Sequence, residues 1–294
     1  MRILSLLPAA TEIVYALGLE DDLIGVTHEC DEPADARTKR VVVHSALAPD
    51  LSPAEIDREV RERSARGEPL SLLDTDYLRD VPPDVILTQD LCQVCAVPAG
   101  DVDAALGKLG CRADVVSLDP HSIDDIFATI VEVGRRAGVA ERADAIVGRL
   151  RERVAAVERT VARRPRVPTL ALEWVDPPFV AGHWLPEMVE LAGGRVLLGE
   201  PGTHSRQIDW AEAGAVRPTA VMVAPCGFGL DAAREQATGV PELSGALVIA
   251  VDAAGYYVRP GPRVVDGIEA LAAALHPSAG LPAREAVATR VERD

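Results

Sequence analysis

The sequence has few aromatic residues, less positive than negative charge and no long apolar run, and the last two features each argue against a class of function. Aromatic residues make up only 3% of the 294 residues. The 30 Lys and Arg residues are outnumbered by 46 Asp and Glu residues, so the net charge is -16. This charge argues against a nucleic-acid partner, because phosphate binding needs a positive surface. No apolar run approaches the about 20 residues of a membrane span, so the chain is not expected to be membrane-embedded.

The motifs of common hydrolases and nucleotide-binding enzymes are also missing. The sequence contains no Gly-x-Ser-x-Gly, no Walker loop and no His-Glu-x-x-His. It therefore predicts no catalytic residue and favours a binding protein over an enzyme.

The amino terminus lacks the features of a secretion signal. The apolar run at residues 3–7 stops at Pro8. It is shorter than the apolar region of a signal peptide, about 7–15 residues, and no small-residue cleavage site follows it. Taken literally, the sequence predicts a cytoplasmic protein. The alternative is a periplasmic or extracellular protein from which a leader has been removed.

What the sequence does contain is a regular alternation of strand-like apolar runs and helix-like segments. Runs such as residues 3–6, 85–87 and 220–224 are each followed by a turn and a helical pattern. Repeated βα units predict mainly parallel sheets. Residues 140–164 form the longest helical pattern, with one glycine and no proline. The predicted fold is α/β, with two Rossmann-like lobes joined by one long backbone helix. Its boundaries are 1–137 for the N-terminal lobe, 138–165 for the linking helix and 166–294 for the C-terminal lobe.

Three of the five cysteines follow predicted strands of the first lobe. Cys92 and Cys95 form a Cys-x-x-Cys after residues 83–87, and Cys30 follows residues 23–26. Because the carboxyl ends of parallel strands meet at one edge of a sheet, the three sulfurs can converge there. Three thiolates and one further ligand make a zinc site or hold an iron–sulfur cluster. The alternatives are a redox-active or disulfide pair, and inert buried thiols.

Several residues are candidates for the fourth ligand of such a centre. His28 and Glu29 adjoin Cys30, while Cys226 and His204 belong to the second lobe. An exogenous ligand is the remaining alternative. Cys111 precedes a strand and is predicted to be buried. This set defines one functional hypothesis, a cytosolic metalloprotein with a redox or catalytic role. Its metal-ligating residues are Cys30, Cys92, Cys95, Cys226 and His28.

The few aromatic side chains concentrate after strands and in loops of the second lobe. Flat apolar faces beside a cleft suit a macrocycle or another planar ligand, and ordinary packing is the alternative. Arginines in these loops are candidates for ligand carboxylates or phosphates. Thr11, at the start of the first helix, either offers its hydroxyl to an anion or only caps the helix.

Four short segments carry a family resemblance. Residues 5–12 (Ser-Leu-Leu-Pro-Ala-Ala-Thr-Glu), 83–87 (Pro-Asp-Val-Ile-Leu), 190–194 (Glu-Leu-Ala-Gly-Gly) and 259–263 (Arg-Pro-Gly-Pro-Arg) occur in this order around the long helix. Together they resemble the ABC-transporter solute-binding proteins built on a rigid helical backbone. This class III family carries cobalamin, ferric siderophores or haem, and the resemblance covers most of the chain.

Within the family, the chain is most similar to the branch usually called cobalamin-binding. Residues 28–30 (His-Glu-Cys) and 92–95 (Cys-Gln-Val-Cys) look characteristic of that branch. The resemblance implies a corrinoid or similar small-molecule metal chelate in a cleft between the two lobes, and an ABC permease as partner. It also implies ligand contacts at the Ala-Gly-His-Trp segment, residues 181–184. The candidate ligand-binding residues are Thr11, His28, Trp174, His183, Trp184, Arg206, Phe228, Tyr257 and Arg259.

Overall fold

The chain divides into two compact units, each with its own β-sheet. The first unit comprises Met1–Asp119 and Thr129–Ala143, and the second comprises Pro120–Ala128 and Asp144–Asp294. This computed structural model describes residues 1–48, 51, 53–90, 100, 102, 107, 112–243 and 245–291.

The first unit is built on a six-stranded, mainly parallel sheet. Its strands are β1 (Ile3–Ser5), β2 (Leu23–Thr27), β3 (Val41–Ser45), β4 (Ser71–Leu73), β5 (Val85–Thr88) and β6 (Asp114–Ser117). The spatial order is β4-β3-β2-β1-β5-β6, and only the edge pair β3–β4 is antiparallel. The central strand β1 pairs in parallel with both β2 and β5. The mainly parallel sheet predicted for the first lobe is therefore confirmed.

Apolar spacing and capping explain the helices that accompany this sheet. They are α1 (Pro8–Ala16), α2 (Pro53–Arg66), α3 (Thr75–Asp80), α4 (Ile123–Arg136) and the long α5 (Ala140–Val161). Helix α4 begins after Ser122, whose hydroxyl accepts a hydrogen bond from the amide of Asp125. Its residues Ile126, Ile130 and Val133 recur at helical spacing and are buried. Both α4 and α5 contribute residues to each of the two units.

The second unit contains a seven-stranded mixed sheet. Its strands are β7 (Val167–Val175), β8 (Pro178–Val180), β9 (Gly194–Val196), β10 (Arg206–Gln207), β11 (Ala220–Val223), β12 (Leu247–Val251) and β13 (Ala288–Val291). The path is β10-β8-β7-β11-β12-β13, with β9 also paired to β7. The pairs of β7 with β9 and β11, and of β11 with β12, are parallel. The pairs β7–β8, β8–β10 and β12–β13 are antiparallel.

The helices of the second unit follow its strands. They are α6 (Leu185–Leu191), α7 (Trp210–Ala215), α8 (Leu230–Ala237), α9 (Ala253–Tyr256) and α10 (Val264–Leu275). Within this unit, Arg153 of α5 donates hydrogen bonds to Asp266 and Glu269 of α10 at 2.8 Å. Arg284 binds the same two carboxylates at 2.7 and 2.6 Å. This four-membered ionic network joins α5, α10 and the segment before β13.

The predicted fold class is confirmed, with two α/β units and one long helix at the predicted place. The antiparallel edges of the second sheet were not predicted, and β13 forms in a tail that shows only weak strand pattern. The predicted division at residues 137 and 165 stays a prediction. Within the described residues, no helix combines the length and the apolar character needed to cross a membrane.

Candidate functional site

The carboxyl end of the second sheet presents an aromatic pair. Trp174 lies near the end of β7, and Phe228 follows β11. Their rings meet edge to face, with centroids 5.8 Å apart and an interplanar angle of 83°. Both side chains are partly exposed. The backbone fixes Phe228, because its amide donates to the carbonyl of Pro225 at 3.1 Å and its carbonyl accepts from Ala254 at 2.9 Å. The pair therefore offers positioned apolar faces at a strand edge.

A largely buried carboxyl group precedes this aromatic pair. Glu173 lies between Leu172 and Trp174, where the register between β7 and β8 shifts. The hydroxyl of Ser205 donates a short hydrogen bond to Oε2 of Glu173. Burial raises the pKa of Glu173, and the Ser205 hydrogen bond only partly opposes that effect. The Glu173 carboxyl is thus largely shielded from water and accepts a hydrogen bond from Ser205.

Three histidines come together in the second unit. The ring centroid of His183 lies 5.1 Å from that of His204 and 6.4 Å from that of His121. Burial, followed by the influence of His204 and His121, lowers the pKa of His183. Its Nδ1 atom is buried and has no hydrogen-bond partner within the described residues. His183 is therefore held as a neutral imidazole at neutral pH, with one nitrogen unsatisfied.

The backbone at His183 adopts an uncommon left-handed conformation, with φ of 52°. Its amide donates to the carbonyl of Thr203 at 2.6 Å, and its carbonyl accepts from Gly202 at 2.8 Å. The preceding Gly182 has no room for a side chain, because a Cβ atom would overlap the Thr203 carbonyl oxygen. Close packing of these two loops thus fixes the position of His183.

Two of the predicted ligand-binding residues, Trp184 and Tyr257, have side chains that are buried within the second unit. Trp184 is 4% exposed, and its Nε1–H donates to the carbonyl of Tyr257 at 2.6 Å. Tyr257 is fully buried, and its hydroxyl donates to the carbonyl of Gly267 at 2.8 Å. Burial raises the pKa of the Tyr257 hydroxyl. The polar groups of both side chains are therefore satisfied within the unit.

The two predicted arginines lie in different surroundings. Arg206 is exposed and donates to both carboxylate oxygens of Glu212, at 2.5 and 3.3 Å. This hydrogen bonding raises the pKa of the Arg206 guanidinium. Arg259 is partly buried in the loop before α10. No described contact joins Arg206 to the three histidines or to the Trp174–Phe228 pair.

Two predicted residues of the first unit, Thr11 and Cys30, belong to a buried polar network, whereas His28 is exposed. Thr11 is fully buried, and its hydroxyl lies 2.8 Å from Oγ of Ser5 and 3.0 Å from Sγ of Cys30. Thr27 contributes its hydroxyl 3.3 Å from the same sulfur. His28 is exposed, with Nδ1 3.2 Å from the carbonyl of Val43. The Thr11 hydroxyl is thus engaged within the unit.

The predicted metal centre receives no support from the described residues. Cys92 and Cys95 lie outside them, as does Cys111. Cys30 is buried in the first unit, and Cys226 is partly exposed in the second. No group of three or more His, Cys, Asp or Glu side chains in the described part of the chain is arranged to hold a metal ion. The hypothesis of a cytosolic zinc or iron–sulfur protein is therefore unsupported.

Sequence reasoning did not include Glu173, Ser205 or His121 among the candidate site residues. A carboxylate inside the apolar run Leu-Ala-Leu-Glu-Trp was a usable signal, because charged residues are rarely buried without a purpose. The grouping of His121 with His183 and His204 had no such signal, since the three are separated by long stretches of chain.

A groove in the second unit lies apart from these predictions. It has a volume of about 380 Å³ and combines apolar walls with carboxylates. Its lining residues come from α4, α5 and α6, and none of them was predicted as a site residue: Ile123, Asp124, Phe127, Arg151, Val154, Ala155, Glu158, Glu187 and Leu191.

Known structures share this fold over nearly the whole chain. A periplasmic haem-binding protein from Pseudomonas aeruginosa is 21% identical, with a TM-score of 0.73 and coverage of 99% of this chain and 98% of that chain. The periplasmic vitamin B12-binding protein of Vibrio cholerae is 19% identical, with a TM-score of 0.64 and coverage of 95% and 98%. An ABC-transporter substrate-binding protein from Listeria monocytogenes is 15% identical, with a TM-score of 0.69 and coverage of 94% and 98%. At these identities the likeness establishes the fold.

No curated protein matches the chain. The family model described as periplasmic binding protein, in contrast, matches residues 3–244. That match covers most of the chain and confirms the resemblance to solute-binding proteins. It gives no support to the cytoplasmic interpretation of the amino terminus. The chain belongs to the periplasmic binding protein family.

Proposed function

We propose that the protein binds a planar or macrocyclic metal chelate of the corrinoid or haem class. We further propose that it delivers this ligand, outside the cytoplasm, to an ABC-type permease. The observation that carries the proposal is the partly exposed aromatic pair Trp174–Phe228 at a strand edge, in a chain of this family. Similar structures include proteins described as binding haem and vitamin B12.

The aromatic pair supports this ligand class on physical grounds. An edge-to-face pair holds each ring in one orientation, so a flat ligand meets a preformed apolar surface. Such contacts contribute about 0.5–1.5 kcal/mol beyond the apolar area they bury. Aromatic side chains are scarce in this sequence, and two of the ten lie together at this edge. A preformed apolar wall with a few polar groups is the usual composition of a small-molecule site.

The test is a titration of the purified protein with cyanocobalamin, cobinamide and haemin. The absorption bands of each ligand serve as the readout, because they stay available when a tryptophan is replaced. Trp174→Ala is expected to weaken binding at least about tenfold, which corresponds to about 1.4 kcal/mol.

The matched control is Trp210→Phe. Trp210 packs against the core cluster of the second unit, and phenylalanine keeps an apolar ring there. Binding is expected to be unchanged in this variant. If none of the three ligands binds at high micromolar concentration, the chelate proposal is wrong. Equal losses in both variants would show that the aromatic pair has no specific role.

Delivery to a permease has a separate test. Cells that carry the gene with its genomic neighbours should accumulate the chelate that binds in vitro, and deletion of the gene should abolish that uptake. Uptake that persists at the same rate after deletion would contradict the transport role without affecting the binding result.

A further inference from the structure

We propose that His183 and His204 together bind one divalent transition-metal ion of the copper or nickel type, with one imidazole nitrogen each. This inference does not depend on the proposed chelate ligand. The planes of the two rings are inclined at 86°, and their centroids are 5.1 Å apart. When two imidazoles bind one ion through nitrogens at about 2.1 Å, their centroids are roughly 5–6 Å apart. The observed separation fits a shared ion.

The unsatisfied nitrogen of His183 is the second argument. Its Nδ1 is buried and has no partner within the described residues. A buried polar atom without a hydrogen bond costs about 1–3 kcal/mol, so a native structure that keeps one needs a reason. A metal ion supplies that missing partner, and imidazole nitrogen is a preferred ligand of copper and nickel.

The backbone supplies a third argument. His183 has a φ of 52° and is held there by hydrogen bonds to Thr203 and Gly202, the residues just before His204. Uncommon backbone conformations fixed in this way are frequent at functional sites. The same contacts hold the segment that carries His204 against the segment that carries His183, so the pair is organised before an ion arrives.

The site supplies two protein nitrogens, and water completes the coordination. This count agrees with the finding that no three metal-ligating side chains are suitably arranged in the described part of the chain. The third ring, His121, is 6.4 Å from His183. The ion is accordingly expected to bind with micromolar affinity and to exchange readily.

Calorimetric titration with Ni²⁺ tests the proposal on the full chain. Accessible thiols are first alkylated, so that Cys226 does not contribute. The expected result is about one Ni²⁺ per chain, with affinity falling as pH drops below the imidazole range, because metal-ligating histidine must be neutral. Bound Ni²⁺ should also quench tryptophan fluorescence, since the Trp184 ring is 5.8 Å from that of His183.

Two variants and one control locate the ion. His204→Ala removes an exposed ring, and His183→Asn keeps a residue that tolerates the left-handed backbone. Each is expected to weaken Ni²⁺ binding at least about tenfold. His44→Ala, at an exposed position of β3, should leave binding unchanged. Absence of binding, unchanged binding in His204→Ala, or an equal loss in His44→Ala overturns the proposal. If His183→Asn does not fold, the His204→Ala result decides alone.

Discussion

Side chains that follow or end strands form a candidate site in each unit, but the two sets are arranged in opposite ways. In the first unit, Ser5, Thr11, Thr27 and Cys30 are buried and contact one another. In the second unit, Trp174, Phe228 and His183 are partly exposed, and Nδ1 of His183 has no hydrogen-bond partner among the described residues.

This difference allows us to compare what the side chains of each unit would gain from contact with a ligand. A hydroxyl that already has an internal partner gains little by meeting a ligand, because one hydrogen bond is exchanged for another. An exposed ring or an unsatisfied nitrogen gives up no internal contact when it meets a ligand, so the whole free energy of the new contact favours binding. Among the described residues, we therefore expect the second unit to offer a ligand more new contacts than the polar core of the first unit does.

The largest expected effect comes from adding one methyl group to a glycine in each unit. In Gly182→Ala the new Cβ would overlap the backbone of Thr203, which cannot yield without moving a loop. In Gly25→Ala it would lie 2.8 and 2.9 Å from side-chain methyl groups of Val42 and Leu4, which can shift. We predict a loss of unfolding free energy of roughly 3 kcal/mol for Gly182→Ala and about 1 kcal/mol for Gly25→Ala.

Urea unfolding measures both variants. All three tryptophans lie in the second unit, so their fluorescence reports that unit, while circular dichroism reports both. A Gly182→Ala protein as stable as Gly25→Ala would show that the loop at His183 is adaptable and not fixed by Thr203.

The next effect concerns the polar core of the first unit. Thr11→Val keeps the shape of the side chain but leaves the Ser5 and Cys30 groups with one partner fewer. We predict a loss of about 2 kcal/mol of unfolding free energy, with no change in chelate binding. Thr160→Val is the control, since that hydroxyl is exposed on α5, and its effect should stay within about 0.5 kcal/mol. Weakened chelate binding in Thr11→Val would place a ligand contact in the first unit.

Periodicity was enough to predict most of the fold, because long apolar and amphipathic segments determine their own structure. Strands such as β5 and helices such as α5 are of this kind. Strand β10 has two residues and β8 has three, so tertiary pairing and not local pattern decides whether they form. The sequence pattern therefore does not predict the antiparallel edge that β8 and β10 form.

The candidate site was predictable only in part. Trp174 lies near the end of β7 and Phe228 follows β11, and the structure brings their rings together, as expected for residues near strand carboxyl ends. Their role as ligand contacts stays a prediction. Trp184 follows His183 directly, yet its ring is buried and bonded to Tyr257. Adjacent residues point in different directions, and the sequence does not say which one turns inward. Glu173 was missed because its partner, Ser205, is 32 residues away.

A smaller effect is the pH dependence of stability, which one carboxyl group in each unit shifts in opposite directions. The pKa of Glu173 is raised above its ordinary 4.5 by burial, so the folded protein holds this proton more tightly than the unfolded chain does. Its contribution to stability is complete below about pH 4.5 and is lost as pH rises through the raised pKa. In the first unit, hydrogen bonds from Arg135 and Arg136 lower the pKa of Glu132 to about 2. That contribution is present above about pH 4.5 and is lost as pH falls to about 2.

Urea midpoints measured from acidic to neutral pH test both signs. Relative to wild type, Glu173→Gln should gain stability as pH rises above about 4.5, whereas Glu132→Gln should gain as pH falls below it. If Glu173→Gln follows the wild-type pH profile throughout, the carboxyl of Glu173 is more solvated than the structure indicates.

The smallest effect is expected from one surface ion pair in each unit. Arg206 binds Glu212 in the second unit, with side chains 50% and 39% exposed, and Arg2 binds Asp84 in the first, with side chains 44% and 48% exposed. Water screens such pairs, so Arg206→Gln and Arg2→Gln should each change the unfolding free energy by less than about 1 kcal/mol. Chelate binding should also stay within about twofold in Arg206→Gln, since Glu212 already engages the guanidinium. A tenfold loss in that variant alone would instead support Arg206 as a ligand-binding residue, because a ligand carboxylate would then have to compete successfully with Glu212.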